Sequence, residues 1–166
     1  CINSFVILII ILNSPNNPTG AVYSEQEIKD IAKIAEEKGI YVISDEIYEK
    51  LVYDNEKHYS IAQYSEKMKE LTIIINGMSK SYAMTGWRIG YVAAPDEIFK
   101  AILKIHQYTM ICAPTFSQYA GLTALKEGRM DGFNDIIEMR EEYDKRRRFM
   151  YKTFTEMGLE CFEPLG

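Results

Sequence analysis

The sequence predicts an α/β fold, a mostly parallel sheet with helices on both faces. Short β-branched apolar runs recur at "FVILIIIL", "IYVISDE" and "LTIIIN", turn residues close the first, and an amphipathic segment separates the first two. Parallel strands need long crossovers, and a helix between buried strands supplies one.

Each element follows from its residues. Phe5 to Leu12 reads as a strand buried on both faces and closed by "NSPNNPTG". A signal peptide would need a basic leader and a small-residue cleavage site, and a membrane span about 20 apolar residues. The run has neither, so no membrane partner is expected. With Cys1 in first position, the chain reads as a segment that starts inside a sheet. "SEQEIKDIAKIAEEKG" is a helix: Ser24 is the N-cap, Glu27 completes a capping box, Ile28, Ile31, Ala32, Ile34 and Ala35 form the apolar stripe, and Gly39 ends it. A second strand ends at Asp45, a short helix spans about Ile61 to Lys69, and a third strand covers Leu71 to Asn76. "WRIGYVAAP" reads as a fourth strand stopped by Pro95. From Asp96 the pattern is helical, with breaks near Pro114 and at Gly128 to Gly132, and a last helix runs over Phe133 to Met157.

Composition removes several functions. The 166 residues are 47% hydrophobic and 26% charged, enough for about one globular domain. A net charge of -5 argues against nucleic acid, which is bound by neutralising phosphates. The run Lys145, Arg146, Arg147, Arg148 reads as the solvated face of a helix. Cys1, Cys112 and Cys161 are odd in number and far apart, which indicates no disulfide framework and fits a reducing cytoplasm. His58 and His106 have no acidic or cysteine companions at ligand spacing, so no metal is expected. G-x-G-x-x-G, Walker and G-x-S-x-G patterns are absent.

The remaining polar residues share an address. In open α/β sheets ligands sit outside the carboxyl ends of the parallel strands. Asn17 follows the first strand, Asp45 ends the second and Lys80 follows the third, with Tyr48 and Arg88 nearby in sequence. Singly these are a turn residue, a strand end, a surface lysine, a packing aromatic and a salt-bridge partner. Jointly they suit a Schiff-base cofactor, pyridoxal 5'-phosphate: a lysine amine for its aldehyde, a carboxylate for its pyridine nitrogen and an arginine for its phosphate.

"NSPNNPTG", "SDEIYEKLVY" and "NGMSKSYAMTGWRIGY", in this order, resemble the class I/II aminotransferases of the pyridoxal phosphate fold type I superfamily. The resemblance runs from about Phe5 to the C-terminus. It implies that Lys80 forms the Schiff base, that Asp45 partners the pyridine nitrogen, and that Tyr48 and Asn17 donate to the ring's phenolic oxygen. Arg88 would bind the phosphate and Ser79 add a contact, although Gly77 stands where many relatives carry a hydroxyl residue. It also implies a cis Asn17–Pro18 bond. Residues 1–128 would belong to the large cofactor-binding domain and 129–166 would begin the small one. Complete members are more than twice as long and are homodimers acting on amino acids and 2-oxo acids, so this segment alone is expected to be inactive. "HQYTMICAP" is similar to members that act on aspartate or aromatic substrates. A C-S lyase, a decarboxylase, an acyltransferase or a non-catalytic effector-binding module remain as alternatives.

Overall fold

The computed structural model describes residues 8–166. Four strands form one sheet in the order β1 (Ile9–Asn13), β2 (Tyr41–Asp45), β3 (Thr72–Gly77), β4 (Gly90–Ala93). The first three are parallel and β4 is antiparallel to β3. Helices α1 (Glu25–Lys38) and α2 (Glu66–Leu71) provide the two parallel crossovers, and α3 (Asp96–Thr109), α4 (Thr115–Asp131) and α5 (Asn134–Glu156) follow the sheet.

The local signals account for these boundaries. Ser24 Oγ accepts from the Glu27 amide while the Glu27 carboxylate accepts from the Ser24 amide, the reciprocal bonds of a capping box. The expected helix around Ile61 is split: a 3₁₀ turn covers Ile61–Gln63, and Ser65 then caps α2 by accepting from the Met68 amide. The chain stays helical through Gly128, and the break falls at Gly132 and Phe133, both left-handed at φ 75 and φ 60.

The core lies on one side of the sheet. Ala32 and Ala35 of α1 meet Leu12 and Val42 of the strands, with Ile61 and Met68 closing the cluster. Helices lie on both faces, but unequally. On the second face, Phe99 and Ile102 of α3 share a cleft with Ile75 of β3 and Val92 of β4. The expectation that the first strand is buried on both faces is therefore corrected: Ile9 and Ile11 are 54% and 74% exposed. β1 stands at the sheet edge, and an unbroken apolar run does not say which of its faces α1 covers. Phe5, Val6 and Ile7 of that expected strand lie outside the described residues. Among the described residues no helix is long and apolar enough to cross a membrane.

Candidate active site

The three parallel strands finish side by side, with Asn13 in register with Asp45 and Asp45 with Ile75. The loops that leave them build the site. In the first, the Asn13 carboxamide oxygen accepts from Asn16 Nδ2 at 2.8 Å and from the Asn17 amide at 3.3 Å. Asn16 Oδ1 in turn accepts from the Thr19 hydroxyl at 2.7 Å. These bonds satisfy a segment that two prolines deprive of backbone donors. The Asn17–Pro18 bond is cis, as the resemblance implies, and so is Ser14–Pro15.

The second loop is fixed at its root. The Asp45 carboxylate accepts from the Ile47 amide at 3.2 Å, and the Glu46 amide donates to Ile75 of the neighbouring strand at 2.9 Å. This turn brings the Tyr48 hydroxyl to Asn17, whose Nδ2 donates to it at 3.2 Å. The third loop folds back on its own start, with the Tyr82 and Met84 amides both donating to the Met78 carbonyl. It carries Lys80, whose Nζ lies 5.5 Å from the centroid of the Tyr48 ring.

Asn17, Tyr48, Ser79 and Lys80 line one cavity of about 520 Å³. Four of the six residues singled out by sequence are thus brought together. Asp45 is half-buried at the strand end and does not line this cavity. Arg88 is also set back: it is exposed, adopts a left-handed backbone (φ 52), and donates through Nη1 to the carbonyl of Thr85, itself a lining residue. Gly77 has a steric reason. A Cβ there would stand 2.9 Å from the Cα of Gly90 and 3.0 Å from the Ile89 carbonyl, so a hydroxyl-bearing side chain does not fit without moving β4.

Tyr143, Pro164 and Gly166 also line the cavity, and sequence reasoning missed them. They arrive from the far end of the chain, and no short-range pattern marks a contact of that separation. The metal expectation also rested on separation along the chain. In space His58 does have acidic companions, since ligand atoms of Glu46, Glu49 and His58 lie within 4.8 Å of one another. Glu46 Oε1 accepts from Ser44 at 2.9 Å and Ser60 at 2.7 Å, and Oε2 lies 3.2 Å from His58 Nε2. Burial opposes ionisation of Glu46, but His58, Ser60 and Ser44 outweigh it and hold the carboxyl below its ordinary value. The cluster ties the loop after Asp45 back onto β2.

Comparison with known proteins decides the family. The model for "Aminotransferase class I and II" matches residues 3–166. This chain belongs to that family. The aminotransferase segment is 47% identical over 157 residues to an aspartate aminotransferase of Pyrococcus abyssi, covering 95% of this chain and 40% of the relative. It is equally 47% identical to a probable N-acetyl-LL-diaminopimelate aminotransferase of Bacillus subtilis, covering 95% and 38%. Among solved structures, the aromatic aminotransferase of Pyrococcus horikoshii superposes with a TM-score of 0.90 at 46% identity, over 96% of this chain and 42% of that one. The chain therefore spans about 40% of the length of the relatives it matches.

The family is generally dependent on pyridoxal phosphate, and the residues present fit such a group. Lys80 offers a primary amine with no hydrogen bond or ion pair among the described residues. Tyr48 accepts from Asn17 and so keeps its own proton for a further acceptor. A carboxylate, Asp45, ends the adjacent strand.

Proposed function

We propose that the intact protein is a pyridoxal phosphate-dependent aminotransferase that moves an amino group between an L-amino acid and a 2-oxo acid. The observation that carries this reading is the shared cavity of Asn17, Tyr48, Ser79 and Lys80 at the carboxyl ends of three parallel strands. The cofactor, when bound, supplies an aldehyde to receive an amine and a ring that draws electrons from the substrate's Cα.

The chain's own residues supply the rest. Lys80 Nζ would hold the cofactor, and its amine would serve as the base that takes the proton from the substrate's Cα and returns it. Asp45 favours a protonated ring nitrogen. The Tyr48 hydroxyl, polarised by the Asn17 amide, donates to the ring oxygen. Ser79 and Arg88 serve the phosphate end, for which a guanidinium fork suits better than an ammonium. Arg88, whose Nη1 donates to the Thr85 carbonyl here, would supply that fork.

The names of the relatives favour aspartate or an aromatic amino acid as donor. By family resemblance the intact protein is a cytoplasmic homodimer, with residues 1–128 in the large domain and 129–166 opening the small one. Helix α4 runs through that position, and the nearest break in the chain is the left-handed pair Gly132 and Phe133, a few residues later. Incubation of the intact protein with pyridoxal phosphate, an amino acid and 2-oxoglutarate tests the reaction. Glutamate is the expected product; ammonia with pyruvate, or carbon dioxide, in its place would assign a lyase or a decarboxylase instead.

A further inference from the structure

The basic run at 145–148 contains one residue unlike its neighbours. Arg146 and Arg148 have side chains 68% and 56% exposed, whereas that of Arg147 is 6% exposed. Its guanidinium is engaged on every side. Nη1 donates to the Pro164 carbonyl at 2.7 Å, Nη2 to Asp54 at 2.5 Å and Nε to Asp144 at 2.7 Å, and the group lies over the Tyr53 ring at 5.0 Å. A buried cation needs such compensation, and a planar five-donor fork can meet partners in several directions where an ammonium cannot.

Its partners lead into the candidate site. Tyr53 donates its amide to the Leu165 carbonyl at 2.9 Å, and the Leu165 and Gly166 amides both donate to the Gly20 carbonyl at 2.8 and 3.0 Å. The two segments are in direct contact: Gly20 has φ +68, and a Cβ on it would fall 2.5 Å from Pro164 Cβ. Gly20 closes the loop that presents Asn17 to Tyr48, and Pro164 and Gly166 line the cavity with Lys80.

We propose that Arg147 is a positioning residue of the site: it pins residues 163–166 onto the "NPTG" loop and thereby sets the wall of the cavity against which the amino acid substrate is held. This rests on the aminotransferase reading. Arg148 also bonds Asp54 and Asp144, but among the described residues Arg147 alone carries that link on to Pro164, so its loss loosens the wall while the loop that bears Lys80, which Arg147 does not touch, keeps its own bonds.

The test uses the intact protein with Arg147→Met, Arg147→Lys and the neighbouring Arg146→Met. In Arg147→Met the visible cofactor absorbance is retained and kcat stays within about threefold, while KM for the amino acid rises about tenfold or more. Arg147→Lys keeps the charge without the fork and falls between, and Arg146→Met matches the wild type. Amide exchange at Tyr53, Leu165 and Gly166 is expected to quicken about tenfold or more in Arg147→Met, with β2 amides unchanged. Unchanged exchange at those three amides overturns the pin. Faster exchange with unchanged KM overturns its link to the site, and loss of protection throughout, in both Arg147 variants, reduces Arg147 to a general stabiliser. Failure of the wild type to form glutamate sinks the aminotransferase reading instead, while the exchange result still judges the pin.

Discussion

The face of the sheet under α1 and the rim at the strands' carboxyl ends are made from the same strands, yet they are held together differently. Under α1, Ala32, Ala35, Val42, Ile61 and Met68 are all fully buried and interlocked. At the rim, Tyr48 and Lys80 are half-buried, Asn17 is exposed, and Asn17 and Tyr48 are joined by one hydrogen bond. Apolar packing is non-directional and cumulative, whereas the rim relies on a few directional bonds. The contrast places most of the packing under α1 and the chemistry at the rim, a separation that substitutions on either side can test.

Lys80→Ala is the sharpest attempt to break that separation. Turnover of the intact protein should fall by about 10⁴-fold or more, because among the described residues lining the cavity Lys80 alone offers a primary amine. Its urea midpoint should stay that of the wild type. A large drop in stability would mean that the rim carries part of the core's load.

Ile61→Ala reverses the pattern, and its effect is next in size. It removes a fully buried side chain and should cost about 2–5 kcal/mol in urea unfolding, with kcat of the folded fraction unchanged. Tyr48→Phe stays at the rim and is smaller, about tenfold in kcat, since the ring remains over Lys80 and only the hydroxyl that meets Asn17 is lost. Circular dichroism and the urea midpoint should not move.

Acid gives the smallest effect and probes the seam between the two regions. Glu46 has its carboxyl held below the ordinary value of 4.5 by His58, Ser60 and Ser44. Its contribution is therefore complete above pH 4.5 and is lost as the pH falls through the lower folded value. Glu46→Gln should flatten the fall of the urea midpoint as the pH drops below 4.5. An unchanged slope would show that the carboxylate adds nothing to folding.

Much of this was legible in the sequence because the deciding signals are local. The capping box at Ser24 and Glu27, the β-branched runs of β2 and β3, and the rule that ligands meet strand ends all act over a few residues or one element. What escaped is long-range. The open side of β1 depends on what packs against it, and the burial of Arg147 depends on Asp54 and Pro164. His58 meets Glu46 only because an irregular loop returns to the end of β2. The set-back position of Arg88 depends on a left-handed residue after a 3₁₀ turn, which its sequence does not announce.

The contact between Gly77 and Gly90 bears on how Lys80 is carried. These two glycines are paired in register across β3 and β4, and the Met78 amide reaches the Ile89 carbonyl at 3.3 Å. The segment between them leaves and re-enters the sheet at touching points, so it is a ring of fixed perimeter and not a free arm. Sliding one strand past the other by a single residue would turn every side chain of β4 to the opposite face, and would set a bulky neighbour against a glycine that has no room for it. The lysine thus rides on a link whose circumference is already closed, and lengthening or shortening that link by one residue would displace the amine from its place in the cavity.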